Sequence, residues 1–228
     1  MQYKRAQSYD PNDDIFDRMR KRQQKSWVNY ILVGANILIF ILVELTGGSD
    51  NTLHMIRCGA AYTPLVEAGE YYRLFTCMFL HFGFPHLLNN MLLLFCLGDY
   101  VERFIGKLRY LILYLAGGTA ASLFSWYMEM RRGEAVVSAG ASGAIFAVLG
   151  GLVVLLLLNR GRLEDLTIQR VAVMAALSIW VGFRSAGVDG YAHLGGFLGG
   201  AVLMLLMSLP GMLRGGNRRF SSRMGGSW

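Results

Sequence analysis

The chain has 228 residues, 54% of them hydrophobic and only 16% charged, where an average soluble domain carries about 25% charge. Its net charge of +7 gathers at the two ends, which excludes a nucleic-acid-binding face and leaves the pattern of basic flanks kept on the cytoplasmic side of a membrane. Lys4, Arg5, Arg18, Arg20, Lys21, Arg22 and Lys25 precede the apolar part of the chain, and Arg214, Arg218, Arg219 and Arg223 follow it.

Residues 1–26 read as a cytoplasmic N-terminal segment of mixed charge, a solvated tail with some amphipathic character around Asp13–Lys25. They are too long and too acidic for the start of a cleavable signal peptide, so the first apolar run is expected to stay as an anchor. No Asp, Glu, Lys or Arg occurs in 26–43, 74–98, 110–128, 135–159 or 190–213. Each of these windows meets the roughly 17–25 apolar residues that a spanning helix needs. A sixth run, 171–183, reaches span length if Arg170 and Arg184 extend along its ends toward water. The fold expected is therefore all-α: a polytopic membrane helical bundle of six transmembrane helices over 27–210, followed by a disordered cytoplasmic tail at 211–228.

In order, span one covers about 27–46, with Trp27 and Tyr30 at the interface. Residues 47–73 form a long outer loop rich in apolar groups, expected to lie in the membrane interface rather than in water. Span two covers about 85–99 after an apolar lead-in at 74–84. The turn after it holds Glu102, read as a capping or ion-pairing group, and Gly106. Span three follows at 110–128, a short charged outer loop at 129–134, span four from Ser138–Ser142 to about Asn159, span five at 168–183, and span six from about Tyr191 to a point before Pro210. Cys58, Cys77 and Cys96 are odd in number and fit no metal or disulfide spacing, so they read as apolar filler.

Six spans return the chain to its starting side, in agreement with the two basic ends. Under that topology spans two, four and six all run inward. His86 and Asn90, four apart on one helix face, stand near the start of span two; Ser142 starts span four, and His193 starts span six. All four then lie at one depth in the outer half of the membrane, where polar side chains are costly and turn toward the bundle interior. Gly143, Ala147 and Gly151 form a small-residue stripe on span four, and Ala192, Gly196 and Gly200 form another on span six. Such stripes let helices approach backbone to backbone. Either stripe alone reads as packing, but docking the two brings the Ser142 hydroxyl toward the His193 imidazole. A serine becomes a nucleophile when a histidine takes its proton, and acyl transfer then needs donors for the developing oxyanion. Asn90, His86 and the Ser142 amide at a helix start are the candidates. Asp189, four residues before His193, belongs to the outer loop, so the reading is a Ser–His dyad rather than a triad.

The sequence resembles the rhomboid intramembrane serine proteases of the six-span bacterial type. The resemblance covers about residues 27–210 and rests on Gly140-Ala141-Ser142-Gly143, on His193-Leu-Gly-Gly196 with Gly200, and on His86-x-x-x-Asn90. Tyr72-Arg73 is similar to the family's Trp-Arg pair, and Glu102 with Gly106 matches the turn after span two. The resemblance implies Ser142 as nucleophile, His193 as general base, and His86, Asn90 and the Ser142 amide as the oxyanion site. Phe146 stands where the family often has a Tyr stacked on the histidine. It further implies no metal or cofactor, transmembrane protein substrates met in the lipid bilayer, cleavage toward the outer face, and a bacterial plasma membrane location with both termini cytoplasmic. The alternatives weighed against an enzyme are a catalytically silent rhomboid-like protein that binds client helices, whose known forms lack the Ser or His, and a transporter, which would call for inverted repeats and paired broken helices that the sequence lacks.

Overall fold

A computed structural model describes residues 25–163, 166–184 and 187–213. The basic N-terminal segment up to residue 24 and the tail from residue 214 lie outside the described residues. The chain is helical almost throughout. Its elements are α1 (Trp27–Thr46), α2 (Thr52–Arg57), β1 (Ala61–Tyr62), α3 (Thr63–Glu67), α4 (Arg73–Thr76), α5 (Gly83–Leu93), α6 (Asp99–Ile105), α7 (Lys107–Arg132), β2 (Val137–Ser138), α8 (Ser142–Leu158), β3 (Arg162–Leu163), β4 (Leu166–Thr167), α9 (Ile168–Arg184) and α10 (Gly190–Leu213). A wider π turn, Leu94–Gly98, joins α5 to α6.

Among the described residues, three helices are long and apolar enough to cross a membrane: Trp27–Thr46, Lys107–Arg132 and Gly190–Leu209. A fourth crossing would be the pair Arg73–Phe79 and Gly83–Ile105, which is bent by 89°. That bend lies within the apolar lead-in at 74–84, whose direction the sequence left open. Leu80 is extended, Gly83 has φ +71°, and Pro85 stands in the first turn of α5. A proline there is preorganised to start a helix and has no N–H to continue the one before it. Two further differences concern element ends. Residues 129–132 belong to the last turns of α7 instead of a loop, with Glu129 buried. The last helix runs past Pro210 to Leu213, so the expected tail begins inside it.

The centre of the bundle is α8. Thirteen of its seventeen residues are buried, as expected of a helix that is apolar on every side. It packs chiefly against α10 and α7. The two small-residue stripes account for the α8–α10 approach. Cβ atoms at Gly196 and Gly200 would run into the carbonyls of Gly143 and Ala147. The third contact falls on Gly150, against the Phe197 carbonyl, while Gly151 faces Leu113 and Met204. The shift from the expected Gly151 follows from the helix repeat of 3.6 residues, which carries a strict four-residue stripe off the contact line after two turns.

The outer loop is folded rather than irregular. Arg73, only 5% exposed, donates from Nη1 to the carbonyls of Ile56 (2.6 Å) and Ala60 (2.9 Å) and pairs with Glu70. The Tyr72 hydroxyl and the Arg73 guanidinium together hold Glu70 below the usual carboxylate range. Ala61 and Tyr62 pair antiparallel with Ser138 and Val137, which ties this loop to the segment leading into α8. On the opposite side of the bundle, Glu102 accepts the Asn29 (2.7 Å) and Val28 (3.2 Å) amides at the start of α1. That is the capping arrangement anticipated for it.

Candidate active site

Ser142 is the first residue of α8. The opening N–H groups of a helix have no acceptor within it and present a partial positive charge. The turn before it depends on Gly140, whose φ of +144° suits glycine and whose missing side chain leaves room for His86. A Cβ there would stand 2.8 Å from His86 Cε1 and 2.9 Å from its Nε2, and 3.7 Å from Asn90 Nδ2. His86 and Asn90 thus approach the turn from α5 together. Asn90 is buried, and its Nδ2 has no hydrogen-bond partner among the described residues. The turn is held from behind. Gly140 N–H donates to the Cys77 carbonyl (3.0 Å) and Ala141 N–H to His81 Nε2 (3.3 Å).

His193 lies in the first turn of α10, 7% exposed. Its ring stacks on Phe146, one turn beyond Ser142, with centroids 4.1 Å apart and planes 15° from parallel. On the other side Gly182 of α9 comes so close that a Cβ there would be 2.8 Å from His193 Nδ1. Between serine and histidine the two helices touch: a Cβ at Gly143 would lie 3.8 Å from Ala192 Cβ. No hydrogen bond joins Ser142 to His193 in this structure; such bonds are often long in free enzymes and tighten when a substrate is bound.

The structure therefore brings Ser142, Gly143, Phe146, His193, Gly196 and Gly200 to the α8–α10 seam, and Gly140, His86 and Asn90 to the turn that opens it. A cavity of mixed lining beside Ser142 has Ser125, Glu129, Ser138 and Asp189 on its polar part and Val66, Met78 and Trp126 on its apolar part. Ser125 and Glu129 escaped the sequence reading, because a serine and a glutamate near the end of a span look like ordinary polar edge residues. His81 stands in the apolar lead-in at 74–84, and nothing in its spacing ties it to the Ala141 amide. Among the described residues no group of three or more His, Cys, Asp or Glu is arranged to hold a metal ion.

Comparison with known proteins agrees with this architecture. Residues 68–210 match the family model of the rhomboid domain. The chain is 36% identical over 186 residues to the rhomboid protease GluP of Bacillus subtilis (strain 168), covering 82% of this chain and 36% of that one. It is 39% identical over 167 residues to RHOMBOID-like protein 5 of Arabidopsis thaliana, covering 72% and 52%. It is 29% identical over 209 residues to the rhomboid protease AarA of Providencia stuartii, covering 82% and 74%. The chain thus spans about a third to a half of the length of the first two of these curated relatives. A matched domain over most of the chain, with apolar helices packed around a polar seam, makes this an integral, multi-pass membrane protein of the rhomboid family.

Proposed function

We propose that the chain is an intramembrane serine endopeptidase that hydrolyses peptide bonds in or near the transmembrane segments of other membrane proteins. The observation that carries this reading is the stack of His193 on Phe146, one turn beyond Ser142, across a seam where α8 and α10 meet backbone to backbone. Two of the relatives are named as rhomboid proteases, which supports it.

In this reading His193 takes the proton of the Ser142 hydroxyl as the oxygen attacks the scissile carbonyl, then returns it to the leaving amine. The stack on Phe146 fixes the plane of the imidazole. The oxyanion receives the Ser142 amide at the helix start, Asn90 Nδ2 and the His86 imidazole. Asn90 suits that role because its donor is buried and otherwise unpaired. Donors held in a water-poor site need no reorganisation as charge develops. Water then hydrolyses the acyl-serine, with His193 taking its proton and returning it to Ser142; the cavity beside Ser142 offers the space for that water. No cofactor enters any step. The substrate must unwind locally, since an intact helix keeps its carbonyls in hydrogen bonds; segments with small or helix-breaking residues meet that condition.

The same reading takes residues 27–210 as the protease domain, with 1–26 and 211–228 as cytoplasmic flanks. Helices α8 and α9, of 17 residues each, complete a count of six spans and sit at the short end of what crosses a bilayer. The site then faces outward, in a bacterial plasma membrane. The test is cleavage of a single-span reporter with a Gly/Ala-rich outer segment, together with labelling by a fluorophosphonate. Ser142→Ala and His193→Ala are each expected to reduce both to background with normal membrane insertion. A Ser142→Ala protein that still cleaves the reporter refutes the proposal, and a wild-type chain that neither cleaves it nor takes the label leaves client-helix binding as the function.

A further inference from the structure

Two carboxylates that the mechanism does not use lie beside the site. Asp189 directly precedes α10 and accepts the Ala192 amide at Oδ1 (2.8 Å), the contact of a helix N-cap. The same carboxylate accepts the Ser138 hydroxyl at Oδ2 (2.9 Å) and lies 2.7 Å from the Ser125 hydroxyl at either oxygen. Ser125 also lies 3.1 Å from Glu129 Oε1, and Thr63 donates to Glu129 Oε2 at 2.7 Å. Ser125, Glu129 and Thr63 are all buried. One connected set of polar contacts therefore reaches from α3 in the outer loop, through α7, to β2 and the start of α10.

Within that set Asp189 has a particular place. Ser138 stands four residues before Ser142, and Ala192 is the residue before His193. Asp189 is bonded to both, so it ties the segment that carries the proposed nucleophile to the helix that carries the proposed base. It does so at the outer end of the α8–α10 seam. The glycine contacts at Gly196 and Gly200 fix the seam only from the site inward. Its link to His193 itself is through the main chain, His193 N–H to the Asp189 carbonyl at 3.2 Å; its side chain bonds the Ala192 amide and the serines, not the imidazole.

Resting on the protease reading above, we infer that Asp189 is a positioning residue. It sets the distance between Ser142 and His193 by bridging Ser138 to the Ala192 amide, with Ser125 of α7 holding its carboxylate. This differs from the third member of a catalytic triad, which orients the histidine by accepting its ring N–H.

The full chain, reconstituted in lipid, tests this with the reporter described above and a fluorophosphonate probe. Asp189→Ala removes both arms of the bridge. A displacement of about 1 Å costs on the order of 10²-fold in rate, so kcat for the reporter and the labelling rate are both expected to fall by about 10- to 100-fold. KM is expected to stay within about twofold, because the residues facing the substrate are untouched. Asp189→Asn keeps an oxygen for the amide, and Asn and Asp cap helices about equally well, so it is expected to recover most of the loss. Ser138→Ala cuts one arm and leaves the cap, and serves where Asp189→Ala is poorly folded; a several-fold slower labelling rate is expected. Wild-type kcat and labelling in Ser138→Ala and Asp189→Ala, a rise in KM alone, or an equal loss in Asp189→Asn and Asp189→Ala overturns the inference. If Ser142→Ala is inactive in the same assays, the protease reading stands whichever way these variants fall. If Ser142→Ala remains active, that reading fails first.

Discussion

Gly200 offers the sharpest test of how the seam works. A Cβ at this position would run into the Ala147 carbonyl oxygen and would stand 2.5 Å from the carbonyl carbon and from Cα of Ala147. Ordinary contact begins at 3.4 Å, so Gly200→Ala leaves a deficit of about 0.9 Å against the carbonyl carbon and Cα and a larger one against the oxygen, all of them backbone with no rotamer to relieve it. The helices must part by at least that distance. Overpacking of this kind costs about 1–3 kcal/mol. Gly200 lies two turns, about 10 Å, along α10 from His193, so a rigid helix passes much of the displacement to the imidazole. The expected result is a loss of about 10- to 100-fold in fluorophosphonate labelling rate, of the size that a 1 Å misplacement produces, with a lower thermal midpoint. Two glycines grade the effect. Gly199→Ala meets only the Ala120 methyl at 3.1 Å, and Gly34→Ala meets nothing within 4 Å. The series is expected to run Gly34→Ala unchanged, Gly199→Ala slightly slower, Gly200→Ala strongly impaired, all read as labelling rate and unfolding midpoint in the same detergent. Wild-type labelling in Gly200→Ala refutes the reasoning, for it means the seam is not held at backbone contact.

Two further substitutions probe the sides of the site. Phe146→Ala removes the ring stacked on His193, an aromatic pair worth about 0.5–1.5 kcal/mol beyond its buried area, so turnover of the reporter is expected to fall by about 2- to 10-fold while Phe146→Tyr stays near wild type. Gly140→Ala strains a backbone at φ +144° and drives a methyl to 2.8 Å from His86; labelling is expected to drop at least tenfold with insertion intact, as measured by probe fluorescence and membrane fractionation.

How much of this was legible in the sequence depends on the range of the contacts. The helices Trp27–Thr46 and Ser142–Leu158 were readable almost to the residue, because charge-free apolar runs are local features. The α8–α10 seam was legible too, since four-residue small-residue spacing names a helix face whatever the rest of the fold does. What escaped the reading is long-range and polar. Thr63, Ser138 and the pair Ser125 and Glu129 come from three separate elements, and no periodicity links one element to another. The 89° bend between α4 and α5 was hidden because residues 74–84 are as apolar as a span, and hydropathy does not report direction. Glu129 was assigned to a charged loop for the same reason: its partners, Thr63 and Ser125, are what make burial tolerable.

The folded outer loop and the short central helix are two sides of one physical requirement. At 17 residues, α8 is about 26 Å long, less than the roughly 30 Å of a hydrocarbon layer. Under the six-span topology proposed above, its first residue, Ser142, begins below the membrane surface, and residues 133–141 descend to reach it. Irregular backbone at that depth is tolerated only where protein or enclosed water satisfies its polar groups. Each partner comes from an element that an uninterrupted bundle would lack. The Gly140 amide goes to the Cys77 carbonyl, the Ala141 amide to His81, residues 137–138 to the β1 strand, and the Val136 carbonyl to the Thr63 amide. Residues 61–81 are thus the solvent of the turn that carries the serine. The 89° bend between Arg73–Phe79 and Gly83–Ile105 fits that duty: under the proposed topology, a lead-in that continued straight into the next helix would leave the turn at residues 139–141 with unpaired amides in lipid, and a serine recessed by a short helix would have no backbone able to hold it there.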